Sequence, residues 1–201
     1  MTTERRTGHH SRVDYPELAA RTRRFSYGTP RAVSVSADGD RVIFLRSAGP
    51  EDPVDRLWVY DVGVGTERLI ADPAELLATD GAELPAEERA LRERLRLSAA
   101  GIGSYALDSA GLLAVFALAG RLYRADLRTG AVTHLPTAGP VVDPRLDPAG
   151  RRVAYVTSGK LHVIGSDGDD AVLAGEDGVT WGLAEFIAAE EFHRYRGYWW
   201  A

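Results

Sequence analysis

The chain has 201 residues, 24 basic against 29 acidic for a formal net charge of -5, and no cysteine. A disulfide framework and a thiolate metal site are thereby excluded, and basic residues that are scattered rather than clustered suggest no nucleic-acid partner. The opening residues lack the apolar core of a signal peptide and no stretch is long and apolar enough to span a bilayer, so the expectation is a soluble cytoplasmic protein without a membrane partner.

In chain order, the first dozen residues show no periodicity and read as disordered, part of an amino-terminal arm over 1–26. Beyond it, three segments read alike: Ser34-Val-Ser-Ala-Asp-Gly-Asp-Arg-Val-Ile-Phe-Leu-Arg46, Tyr105-Ala-Leu-Asp-Ser-Ala-Gly-Leu-Leu-Ala-Val-Phe-Ala117 and Arg145-Leu-Asp-Pro-Ala-Gly-Arg-Arg-Val-Ala-Tyr-Val-Thr157. Each is a short strand, an Asp/Gly turn built from residues that tolerate positive φ, and a more apolar strand. Each continues into two more strands: Leu57-Trp-Val-Tyr-Asp-Val then Arg68-Leu-Ile, Arg121-Leu-Tyr-Arg-Ala-Asp-Leu then Val132-Thr-His-Leu, and Lys160-Leu-His-Val-Ile then Ala171-Val-Leu. Four strands repeating about every 40 residues is the period of a propeller blade. The expected fold is therefore all-β with a helical insertion: a partial β-propeller over 27–201, with blades near 32–70, 102–135 and 141–174 and the start of a fourth.

Gly111 and Gly150 lie 39 residues apart but Gly39 and Gly111 lie 72 apart, so something is inserted between the first two units. The insertion, about 73–100, reads as helix near 86–97. Pro85 suits a first turn, Glu87 and Glu88 suit the positive end of the helix dipole, and Arg92, Arg94 and Arg96 suit the other. Leu91 and Leu95 lie one turn apart on one face.

The tail runs Trp181-Gly-Leu-Ala-Glu-Phe-Ile-Ala-Ala-Glu190-Glu191-Phe-His-Arg-Tyr-Arg-Gly-Tyr-Trp199-Trp200. Adjacent carboxylates repel, so Glu190 and Glu191 call for a cation. A terminal ammonium, with three donors, is one that two carboxylates accept in charge-assisted bonds. On a regular helix consecutive side chains diverge by roughly 100°. Either the helix ends or distorts at the pair, or one glutamate binds and the other supports it. Successive strand residues face opposite sides, so one of Trp199 and Trp200 is expected in the sheet core and the other toward a neighbouring blade or the axial channel.

This tail resembles the segment by which the dipeptidyl peptidase IV family holds the free amino terminus of a peptide, over about 181–197. The Arg-rich insertion from Glu87 onward and the Tyr15-Pro-Glu-Leu entry extend the resemblance to roughly 13–200. It implies a serine peptidase of the prolyl oligopeptidase superfamily, represented by its amino-terminal propeller, with peptide substrates bound by Glu190 and Glu191. It also implies a role for Arg46, which stands where the family carries an arginine that orients substrate carbonyl and carboxylate groups. A strand-end arginine in solvent is the other reading of Arg46.

No Gly-x-Ser-x-Gly elbow occurs, and Ser36, Ser98, Ser104 and Ser158 read as strand or turn residues, so no catalytic residue is assigned and the chain alone is expected to be inactive. His134 and His162 lie in strands without ligand spacing, His193 is close enough to the glutamates to tune them, and neither metal nor cofactor is expected. The alternative is a non-catalytic, propeller-like peptide-binding or scaffold protein, or an inactive remnant. An end inside a strand argues against a self-contained module and predicts an uncovered edge open to self-association.

Overall fold

In a computed structural model, residues 14–78 and 101–201 are described. Their strands fall into three antiparallel meanders, each of four strands paired in sequential order. The first comprises β1 (Arg31–Val35), β2 (Arg41–Arg46), β3 (Arg56–Asp61) and β4 (Thr66–Ala71). The second comprises β5 (Ala106–Leu107), β6 (Leu113–Leu118), β7 (Arg121–Asp126) and β8 (Val132–Leu135). The third comprises β9 (Val142–Leu146), β10 (Arg152–Thr157), β11 (Lys160–Gly165) and β12 (Asp170–Ala174). These are the three sheets read from the repeats.

Period-two alternation sends one apolar set from each sheet into the next. Ile43, Leu45, Leu57 and Val59 of the first sheet meet Ala114, Phe116 and Tyr123 of the second. Val115 and Leu122, on the second sheet's other face, meet Val153, Tyr155 and Ile164 of the third. Val142, Ala154 and Val156 then pack against Tyr198 and Trp200 of the tail.

The repeated turn also joins the sheets. Ser36, Asp108 and Asp147 occupy matching places, each donating its backbone N–H to the carbonyl opening the following strand, at 2.9 to 3.2 Å. The Asp108 carboxylate also accepts the Leu112 and Leu113 N–H groups, and Asp147 accepts that of Arg151. Gly111 and Gly150 follow with φ of 70° and 69°, left-handed values that favour glycine. At Gly111 space demands glycine as well, since a Cβ would stand 2.7 Å from the backbone atom Ser36 Cα, whereas at Gly150 the near atom is the movable Leu113 Cδ1 at 2.6 Å. Each turn leans on its predecessor, with Ala37 N–H donating to Ala110 O and Ser109 N–H to Pro148 O, both at 3.0 Å.

A second device recurs. The innermost strands β1 and β9 are irregular in register, and each holds a non-glycine residue at left-handed φ, Ala32 at 50° and Asp143 at 48°. The Tyr105 hydroxyl sits between the carbonyls of Ala32 and Ile43, the latter at 2.9 Å. Tyr198 sits in the same way between the carbonyls of Asp143 and Ala154, the latter at 2.8 Å. Tyr105 leads into β5 of the next sheet, and Tyr198 occupies the matching place after the third sheet. Burial raises the pKa of both phenols, which stay protonated donors.

Among the described residues, three short helices accompany the sheets. Helix α1 (Tyr15–Arg21) starts with Pro16 in its first turn and falls within the expected amino-terminal arm. Helix α2 (Pro73–Leu77) opens the insertion, capped by the Asp72 carboxylate on the Ala74 N–H at 2.8 Å, and Leu76 and Leu77 seal the cluster between the first two sheets. The helix expected near 86–97 and the disorder expected in the first dozen residues lie outside the described residues. The third helix belongs to the site below.

Candidate functional site

The acidic segment is a loop with a closed neck. Trp181 is tied to the third sheet by its N–H on the Gly159 carbonyl at 2.8 Å, and the chain then leaves at Gly182 and returns at Gly197, whose N–H donates to Gly182 O at 3.0 Å. A Cβ on Gly197 would lie 2.7 Å from the Gly182 carbonyl carbon, and one on Gly182, where φ is 77°, 2.7 Å from Val156 Cγ2. The two glycines flanking the glutamates in the sequence are thus the two sides of the neck, and residues 183–196 form a compact Ω-like excursion.

Within it, α3 (Phe186–Glu191) rests its buried Ala188 and Ala189 on the protein and exposes Glu190 and Glu191. The helix stops at the pair. Phe192 leaves helical geometry, His193 turns left-handed at φ 52°, and Arg194 N–H reaches back to Ala188 O at 2.9 Å. Both glutamates are still within the helix, as its last two residues. No basic residue stands in the last turn, so the glutamates add negative charge at the carbonyl end of the helix, an arrangement that attracts a cation. His193 Nδ1 lies 3.3 Å from the Tyr195 hydroxyl.

Arg46 closes β2 and is not a solvent-facing strand end, its side chain being 22% exposed. Its guanidinium lies 5.2 Å from the Phe44 ring centroid and 4.8 Å from that of Trp58, whose Nε1 donates to the Arg46 carbonyl. Two parallel bonds, 3.0 and 2.6 Å, bind it to the Glu67 carboxylate. The Arg46 hydrogen bond holds the Glu67 carboxyl below its ordinary pKa against a small opposing effect of burial. Phe44 and Arg46 share the face of β2 opposite Ile43 and Leu45, so Arg46 belongs to the outward face of the first sheet while α3 follows the third.

One grouping was not anticipated from the sequence. A cleft of about 400 Å³ opens along the innermost strands, with Ser34, Tyr105, Arg145, Arg196, Trp199 and Trp200 among its lining. Trp200 packs on the third sheet and donates to Arg145 O at 3.2 Å, whereas Trp199 is 56% exposed under the Arg196 guanidinium at 5.3 Å. Arg145 places Nε and Nη2 on Asp143 Oδ1 at 2.9 and 2.6 Å. Burial raises the Asp143 pKa, opposed by the charge and hydrogen bonds of Arg145. Arg145 and Arg196 are 51 positions apart, and only the seating of the tail on β9 unites them. Among the described residues, no three His, Cys, Asp or Glu side chains are grouped to hold a metal, and no helix is long and apolar enough to cross a membrane.

Successive four-stranded meanders, linked through their inner strands and carrying a necked acidic loop, define a segment of a β-propeller. Residues 116–201, which include that loop, match the family model of the dipeptidyl peptidase IV N-terminal region. The structure of Porphyromonas gingivalis dipeptidyl peptidase 4 aligns over 92% of this chain and 25% of its own, with 17% identity and a TM-score of 0.56. The tricorn protease aligns over 75% of this chain and 13% of its own, with 18% identity and a TM-score of 0.49. Over residues 116–201 the chain is similar to the dipeptidyl peptidase IV N-terminal region, its fold is that of a partial propeller, and it spans about a quarter of the length of the dipeptidyl peptidase it aligns with.

Proposed function

We propose that this chain is the substrate-anchoring part of a dipeptidyl-peptidase-IV-like serine peptidase, holding the free amino terminus of peptide substrates through Glu190 and Glu191. The observation that carries this reading is the exposed carboxylate pair at the end of α3, in a necked loop that lies wholly within the family match. Two carboxylates at a helix carbonyl end, without a basic residue in that turn, suit the three donors of an ammonium. Arg46 is the second substrate contact we propose, a planar guanidinium for the backbone carbonyls. The pairing with Glu67 keeps it oriented between substrates. The covalent chemistry belongs to a serine, histidine and aspartate outside this sequence, in which no Gly-x-Ser-x-Gly elbow occurs. The chain by itself should release no dipeptide from an Xaa-Pro chromogenic substrate.

The decisive experiment places Glu191→Gln in a full-length enzyme that contains this segment. The substitution keeps size and hydrogen-bonding capacity but removes the charge facing the ammonium. A charge-assisted bond in a partly desolvated site is worth about 1.5 to 3 kcal/mol, so kcat/KM should fall on the order of 10- to 100-fold on peptides with a free amino terminus. On N-acetylated peptides wild type and variant should differ little. An equal loss on both substrates removes the ammonium anchor and with it this reading.

A further inference from the structure

Charge is unevenly distributed in the cleft along the innermost strands. Two guanidinium groups line it, from Arg145 on β9 and Arg196 on the return of the acidic loop, and no carboxylate does. The nearby counter-charge is Asp143, whose side chain is only 9% exposed and whose Oδ2 has no hydrogen-bond partner. Arg145 directs its Nε and Nη2 bonds at the single oxygen Oδ1, leaving Nη1 uncommitted to Asp143. One carboxylate balances one guanidinium, so the walls keep an excess positive charge. Arg196 is stacked on Trp199, which fixes the plane of its fork while leaving its N–H edge available. The aromatic rings of Tyr105, Trp199 and Trp200 complete the walls, and a charge-assisted bond to an anion held against such a wall is stronger than one in open water.

We propose that this cleft is a carboxylate-binding subsite for peptides, with Arg196 as its principal donor and Arg145 as its second. That the ligand is a peptide rests on the peptidase reading above; that it is an anion rests on the cleft. The two sites are complementary in sign, the loop carrying carboxylates on α3 and a guanidinium five positions after Glu191. One loop would thus sense both an ammonium and a carboxylate, so that short peptides with a free carboxylate, or peptides with an acidic side chain, gain a second contact.

The test uses the 201-residue chain and its own tryptophan fluorescence, since Trp199 and Trp200 line the cleft. Three probes are titrated: acetyl-Ala-Ala-Ala with a free carboxyl terminus, the same peptide as its amide, and acetyl-Ala-Asp-Ala amide. None has a free ammonium, so the glutamate anchor is not engaged and its failure would not be mistaken for failure of the cleft. At least one carboxylate probe should change the fluorescence saturably, more weakly at high salt, while the neutral amide should not, and which carboxylate binds identifies the source. Arg196→Gln should weaken that binding about 10-fold, and Arg196→Lys should restore part of it. Equal response to the neutral amide, no saturable response to either carboxylate, or full affinity in Arg196→Gln would each overturn the proposal. Circular dichroism matching wild type certifies the variants, and the carboxylate-against-amide contrast on the unaltered chain stands without them.

Discussion

The Arg46–Glu67 pair shows how one side chain is committed by its surroundings. A guanidinium at a strand end has ample freedom in solvent, but Phe44 and Trp58 give it two ring faces and Glu67 a planar acceptor, so orientation follows from contacts that alternate along β2 and β3. The Glu67 carboxyl, depressed below its ordinary value of 4.5, contributes stability that is complete above that value and lost as pH falls through its lower folded value. With 41% of the Glu67 side chain exposed, solvent screening limits the contribution to about 0.5 kcal/mol. Glu67→Gln should therefore lower Tm slightly at neutral pH and low salt. The difference from wild type should shrink in acid, below the ordinary glutamate pKa, and at high salt. Calorimetry across pH checks this, and a difference that grows in acid would mean that Glu67 is not held by Arg46.

At the scale of elements, two connections repeat and do different work. The Asp/Gly turns bring each sheet onto its neighbour by backbone bonds, while Tyr105 and Tyr198 fasten the chain that follows to the irregular inner strands β1 and β9. The carbonyls of Asp143 and Ala154 lose a buried donor if the Tyr198 hydroxyl is removed. Tyr198→Phe should cost about 1 to 3 kcal/mol and loosen the tail, including the cleft and the neck at Gly197. Denaturant unfolding measures the loss, and a variant as stable as wild type would show that water replaces the hydroxyl. The glycine neck needed the coordinates: Gly182 and Gly197 lie 15 positions apart, and sequence carries no signal that their backbones touch.

At the scale of the molecule, the described residues form three sheets in a row, the third covered only in part by Tyr198 and Trp200 of the tail. Val172 and Leu173 are exposed on the outermost strand of the third sheet, beside a groove of about 510 Å³ lined in part by Val163, Ala171, Leu173 and Trp200. An apolar sheet face with an open strand edge favours association, so the isolated chain is predicted to self-associate. Light scattering as a function of concentration decides it; a sharp monomer peak with cooperative unfolding would count against association through that edge. The repeats, the turn glycines, the inserted segment and the glutamate pair were all legible in the sequence, because each depends on local periodicity or on residues within one turn of chain. The structure alone decided that α3 ends at Glu191, that Arg46 pairs with Glu67, and that Arg145 and Arg196 line one cleft. Those outcomes depend on which sheet lies against which, and residues joined only through such packing leave no periodic trace in the order of the chain.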